Sequence, residues 1–219
     1  MVVISCVLPT SAYSYTDEQI KLLASWQLST DRTLTISIMN SNLVSQDKID
    51  AIKDAVLSEA TIKVDGSLVH PGQVGSTSTY YEGWKGALES ISVGDSKFYI
   101  PTKFLFIDSS SGAADITIEL TDMDSPDGYS GYTKPTLDGN HILKTHVTIY
   151  KIDKYSTDRL GAIVRHEFGH ALGLGHSTDS EDLMYYIIST DYPYISGCDV
   201  NAIHSLYDGK ESSHVVCEK

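Results

Sequence analysis

The sequence predicts an α+β architecture, a sheet accompanied by a few long helices. Three observations predict it. Stretches that alternate apolar and polar residues, as half-buried strands do, are interleaved with stretches whose apolar residues recur at helical spacing. The 219 residues, 41% of them hydrophobic, are enough for one well-cored domain. No internal repeat or low-complexity tract breaks the pattern.

The elements follow in order. RTLTISIMN (32–40) alternates as a strand does. Ser45 then opens a helix over 45–60, with Ile49, Ile52, Ala55, Val56 and Ala60 as its apolar stripe. DGSLVHPGQVGSTS (65–78) is Gly- and Ser-rich and reads as a surface loop. YYEGWKGALESIS (80–92) reads as a second helix, weakened by its two glycines. KFYIPTKFLFID (97–108) and AADITIELTD (113–122) read as strands joined by an SSSG turn.

A Gly-, Pro- and Asp-rich passage over 123–141 precedes another alternating strand, ILKTHVTIYKID (142–153). A helix over 157–173 starts behind Ser156 and Thr157, with Leu160, Ile163, Val164, Phe168, Ala171 and Leu172 in one stripe. The last helix carries a capping box, Ser196 with Asp199, and stops at Gly209.

Charge and cysteines narrow the setting. With 29 acidic against 16 basic side chains the net charge is −13, which repels nucleic acid and excludes it as a partner. No run reaches the roughly 18 apolar residues of a membrane span. Residues 1–14 read as the rear half of an export signal, a short apolar run followed by the small-x-small site Ala12-Tyr13-Ser14, although a basic n-region is lacking. A buried first strand is the competing reading, and Val3-Ile4-Ser5-Cys6 is only weakly like a lipobox. Residues 15–219 then form a single domain. Removal of the leader takes Cys6 with it and leaves Cys198 and Cys217, which should be bridged outside the cell and tie the tail to the last helix. In a reducing cytosol they would be two free thiols.

RHEFGHALGLGH (165–176) concentrates three of the eight histidines. His166 and His170 are four apart, so on a helix their imidazoles stand about 40° from each other around the axis and can grip one ion. Gly173 suits a left-handed helix end that would redirect the chain and bring His176 to the same ion. Three neutral imidazoles with an open fourth position describe a catalytic zinc site, one ion per chain. Glu167 would stand beside it as a base toward the bound water.

At these residues the chain resembles the metzincin clan of zinc peptidases, and within it the matrixins, the family of the matrix metalloproteinase catalytic domains. HEFGHALGLGHS, with Ser177 after the third histidine, is similar to the matrixin zinc helix. EDLMYY looks like the Met-turn, with Met184 beneath the zinc. ISGCDVNAIHSLYDG is similar to the final helix. Weaker likeness runs through GAADITIEL and HVTIY, covering most of 30–209, with GSLVHPGQVGSTST resembling an insertion. The overall character is similar to that of small exported matrixin-like proteases of archaea and bacteria.

The resemblance implies the metzincin fold: a twisted mixed sheet of five strands with an antiparallel edge, a backing helix, an active-site helix and a C-terminal helix. It implies a secreted or cell-surface monomer, a zinc endopeptidase hydrolysing extended protein or peptide substrates through a water that Glu167 activates. The edge strand that pairs with substrate matches Tyr129, Ser130, Gly131, Tyr132 and Thr133, running on to Pro135. The family's Pro-x-Tyr wall reads Tyr186-Ile187-Ile188 here, so the specificity pocket differs in shape. Animal members hold a second zinc, for which His141 and His146, five apart on a strand, are a poor match, and no cysteine switch is seen. Asp122, Asp124, Asp127 and Asp138 are candidate calcium ligands. Two other functions remain open: an exported zinc-binding domain without protease activity, and a zinc hydrolase of small or cell-wall peptides.

Overall fold

The computed structural model describes residues 18–65, 77–91, 96–108, 114–209 and 213–217. The expected export signal at 1–14, the SSSG turn at 109–112 and most of the 65–78 loop lie outside them. The chain runs β1 (Glu18–Leu22), β2 (Leu34–Met39), α1 (Gln46–Leu57), β3 (Thr61–Asp65), β4 (Thr77–Tyr81), α2 (Trp84–Glu89), β5 (Phe104–Ile107) and β6 (Ile116–Leu120). It continues through β7 (Gly131–Asp138), β8 (His141–Ile149), α3 (Thr157–Leu172), β9 (Leu174–Ser177), α4 (Gly197–Tyr207) and β10 (His214–Cys217).

Five strands form one mixed sheet in the order β5-β2-β6-β8-β7. The first four are parallel and β7 returns antiparallel along β8, which makes it the edge. This is the α+β arrangement, a mixed five-stranded sheet with an antiparallel edge, that the resemblance implies. Its alternating strands bury Leu34 and Ile36, Ile116 and Ile118, Val147 and Ile149 on one side. Against them packs the predicted stripe of α3, all six residues of which are buried. Phe104 meets Phe168 edge-on at 5.4 Å between ring centroids. α1 backs α3 through Ile49, Ile52, Ala55 and Val56, while Ala60 falls beyond its end.

Several boundaries differ from the sequence reading, each for a physical reason. Tyr80 and Tyr81 belong to a strand, paired with β3, and leave only Trp84–Glu89 helical. Aromatic side chains suit a half-buried pleated surface better than a glycine-weakened helix. The strand expected over 97–108 begins only at Phe104, beyond Pro101, which has no N–H for a ladder. Conversely, the Gly- and Pro-rich passage contains β7, because an edge position tolerates Pro135.

A second sheet, β10-β1-β9, has no counterpart in the sequence reading. β1 buries Glu18, Ile20 and Leu22 and exposes the residues between. The Cys198–Cys217 disulfide ties α4 to β10, with Cα atoms 5.8 Å apart. Among the described residues no helix is long and apolar enough to cross a membrane.

Candidate metal centre

α3 begins where the Ser156 hydroxyl accepts from the Arg159 N–H at 3.2 Å. It carries His166 and His170 on one side, one turn apart. Both rings are fixed by the backbone: His166 Nδ1 lies 2.8 Å from the Leu183 carbonyl and His170 Nδ1 2.8 Å from that of Leu174. A carbonyl only accepts, so each Nδ1 holds the proton and each Nε2 presents a lone pair. The two Nε2 atoms face one another at 3.1 Å. Burial pushes His166 down to about 4 and His170 down to about 3, so neither ring takes a second proton near neutrality.

α3 ends on Gly173, at φ 108°. A side chain there would run into the Ala24 carbonyl, so glycine is needed for space as well as for conformation. The turn leads into β9, and His176 swings back until its ring centroid is 4.8 Å from that of His170 and 5.5 Å from that of His166. One ligand nitrogen from each ring lies within 4.8 Å of the others, a grouping that can hold a metal ion. It is the one such cluster among the described residues, so Asp122, Asp124, Asp127 and Asp138 are not gathered into a comparable site. Asp124 pairs instead with Lys151. His146 faces Glu119 at 2.9 Å on the sheet, away from the triad.

Met184 is fully buried on the turn that also supplies the Leu183 carbonyl. Its amide donates to Asp182 Oδ1 at 2.7 Å and its carbonyl accepts from Ser177 N at 2.8 Å. The sulfur lies hard against Gly169, beside His170. This turn therefore fixes both the α3 side and the β9 side of the triad.

Glu167 is buried, and that burial raises its carboxyl to about 7 against the opposing Thr133 hydrogen bond. Thr133 Oγ1 sits 2.6 Å from Glu167 Oε2 and 3.0 Å from its carbonyl, donating to one at a time. β7 passes so close overhead that a Cβ on Gly131 would lie 2.5 Å from Glu167 Oε1. Gly131 and Thr133, singled out from the sequence for substrate, thus bear first on the glutamate. No periodicity or motif could have revealed that contact between residues 34 positions apart.

A cleft of about 1130 Å³ runs past these groups. Tyr129, Ser130, Gly131, Tyr132 and Thr133 line it, as do Tyr186 and Ile187. The structure adds Lys21, Ala24 and Arg159, which carried no sequence signal, beside Ile163 of the α3 stripe and Ile188 of the expected wall. Tyr129 and Tyr132 stack at 6.2 Å, and Tyr186 stands over His176 at 6.5 Å between ring centroids.

Behind the triad lies a buried row of carboxyl groups that sequence reasoning missed. Glu18 on β1 contacts Asp182, which in turn contacts Asp199 on α4. Burial and the neighbouring acids push Glu18 and Asp182 up to about 8 and Asp199 up to about 7. Ser177 Oγ donates to Glu18 at 3.1 Å and Ser196 Oγ to Asp182 at 3.0 Å. The expected capping box of Ser196 and Asp199 is present, although Asp199 Oδ1 has no hydrogen-bond partner.

A mixed sheet with an antiparallel edge, laid over a helix that offers two histidines and answered by a third beyond a glycine turn above a buried methionine, is the framework of the metzincin class. Residues 95–208, just over half of the chain, match the family model described as Matrixin, and the chain belongs to the matrixin family. It is similar to the probable matrix metalloproteinase 095L of Invertebrate iridescent virus 3, with 44% identity over 69 residues, 31% of this chain and 19% of that protein. It is also similar to human matrix metalloproteinase-20, with 32% identity over 120 residues, 49% of this chain and 24% of the relative. Rabbit (Oryctolagus cuniculus) macrophage metalloelastase matches at 40% over 60 residues, 26% of this chain and 13% of its own length. The chain thus spans a quarter or less of the length of these relatives.

Proposed function

We propose that this matrixin is a zinc-dependent endopeptidase that hydrolyses peptide bonds in extended protein substrates. The observation that carries this reading is the pair of Nε2 lone pairs held face to face at 3.1 Å by rings whose only protons are committed elsewhere. Two acceptors repel at that distance unless a cation lies between them. The spacing is close to the roughly 3.3 Å edge of a tetrahedron whose zinc–nitrogen bonds are about 2.0–2.1 Å. His166, His170 and His176 would hold the ion. Zinc, when bound, supplies Lewis acidity, lowering the pKa of a coordinated water to about 7 and polarising a substrate carbonyl.

The chain's own groups supply the rest. Glu167, raised to about 7 by burial, takes the proton of the attacking water and gives it to the leaving amine nitrogen. The Thr133 hydroxyl orients the carboxylate at Oε2 and keeps the other oxygen available. β7, with no strand partner on its outer side among the described residues, offers backbone N–H and C=O groups to a substrate that lies along it as one more strand. The open cleft suits an extended chain. Met184 has no proton to exchange and contributes packing under the triad. The Cys198–Cys217 bridge supports action outside the cell.

Glu167→Ala should retain about one zinc per chain and lose at least about 10²-fold in peptide hydrolysis, the typical worth of positioned proton transfer. His176→Ala should lose both metal and activity, since it removes one of three ligands. Metal analysis and a digest of unfolded and folded proteins measure both. Zinc lost from the glutamate variant would make Glu167 a ligand. Wild type that binds zinc but cleaves only short peptides, or nothing, would favour the small-peptide hydrolase or the silent zinc-binding domain.

A further inference from the structure

The β3–β4 hairpin lies outside the active-site cleft, yet it grips the loop that forms one cleft wall. That loop runs from Tyr185 to Ile195. Its first residue is held by a bridge between Ser177 and Tyr185. Among the described residues its wall section, Tyr186, Ile187 and Ile188, has one hydrogen bond to the body of the protein, from the exposed Arg159 side chain to the Ile188 carbonyl at 2.9 Å. Its far end is held by the hairpin. Tyr81 and Ile195 exchange two backbone hydrogen bonds, at 2.9 and 3.1 Å. Tyr80 stacks on Tyr192 with 6.2 Å between centroids and 21° between planes. Val64 and Tyr80 are buried, and the half-buried Ile62, Tyr192 and Tyr194 pack against them in a small apolar cluster of their own.

Arg165 joins this assembly to the zinc helix. Its guanidinium donates to the Glu82 carbonyl just beyond the hairpin and to the Pro193 carbonyl, and lies over the Tyr194 ring at 4.8 Å. Its own carbonyl accepts from Trp84 Nε1 at 2.8 Å. The next residue along the helix is His166. Hairpin, loop and metal-binding helix therefore meet at one side chain.

We propose that the β3–β4 hairpin is a specificity element: by anchoring the 192–195 end of the loop it fixes the wall at 186–188, and so selects the substrate side chain accepted beyond the scissile bond. The inference rests on the endopeptidase reading above. Ile163, Tyr186, Ile187 and Ile188 line that side of the cleft, so a displaced wall changes the space open to the substrate side chain. A loop pinned at both ends samples far fewer wall positions than one pinned at a single end. Tyr80 and Tyr192 are positioning residues, acting on substrate only through the loop.

The test uses the zinc-loaded chain with Tyr192→Ser, and Tyr192→Phe as the conservative control. Amide hydrogen exchange over 186–191 and cleavage of a peptide library varied at the residue after the scissile bond are measured together. Tyr192→Ser should speed exchange there about threefold to tenfold, the worth of one aromatic pair, and weaken the library preference by a similar factor, with zinc content unchanged. Tyr192→Phe should restore both. If the serine variant fails to fold, Tyr80→Leu keeps the buried apolar volume and removes the ring stack. Unchanged exchange overturns the anchoring, and changed exchange with an unchanged preference overturns the specificity role. Wild type that cleaves no peptide overturns the endopeptidase reading and the specificity role with it, while the exchange data still decide whether the hairpin holds the loop.

Discussion

The triad is supported in two unlike ways. His166 and His170 sit on a buried helix whose stripe is part of the main core, and each ring is locked by a backbone carbonyl. His176 is exposed, and among the described residues no hydrogen bond fixes its ring. Its position depends on β9, which pairs with β1, which pairs with β10, which the disulfide ties to α4. The helix side draws only two ring contacts from outside α3, the Leu183 carbonyl and that of Leu174 at the start of β9. The strand side is a relay of short elements, so one ligand inherits the stability of contacts far from it in sequence.

The joint between the two supports is where the contrast breaks most easily. Gly173→Ala would force a side chain to φ 108° and drive its Cβ into the Ala24 carbonyl. We expect a loss of at least about 3 kcal/mol in denaturant unfolding, together with loss of the zinc affinity that His176 provides. Wild-type stability in this variant would mean that the end of α3 does not govern β9.

A smaller effect is expected one step along the relay. Cys217→Ser opens a bridge between residues 19 apart, which the chain-entropy model values at about 3 kcal/mol, as an upper figure where β10 keeps its pairing with β1. Zinc affinity, read by competition with a chelator, should fall by about tenfold, the low end for loss of a ligand's support. The His166 and His170 ring signals in NMR should stay in place while that of His176 moves. Equal movement of all three would show that the two supports are one.

The same division explains what the sequence made legible. The four parallel strands of the main sheet and the three long helices announce themselves because period-2 and helical stripes run for many residues and end in readable caps, such as Ser156 and the Ser196–Asp199 box. His166, His170, Gly173 and His176 were legible because their spacing alone implies convergence on an ion. The resemblance added Met184 and the edge strand. β1, β9 and β10 were not legible: at four or five residues each they carry too little periodicity, and their pairing joins the two ends of the described chain. Thr133 on Glu167, and Glu18 on Asp182, are contacts that only the folded chain creates.

The last test addresses the strand side through its buried acids. Glu18 and Asp182 are in hydrogen-bond contact, which requires a proton between two carboxyl groups. Burial raises Glu18 to about 8, against about 4.3 in an unfolded chain, so from pH 4 to 8 the folded state binds more protons than the unfolded one. Stability from this group is therefore full at low pH and falls as pH rises through that window. His166 and His170 slope the other way, since burial lowers them to about 4 and about 3, and their contribution is gained as pH rises toward 6.5. Comparison of a variant with wild type at each pH cancels the histidines. Glu18→Gln keeps a donor for Asp182 and an acceptor for the Ser177 hydroxyl, but never ionises. Its melting temperature should gain on wild type steadily as pH rises from 5 to 8.5, because only the wild type loses stability from this group in that window. A gap that stays constant from pH 5 to 9 would mean that the shared proton resides on Asp182 and that Glu18 is ionised throughout.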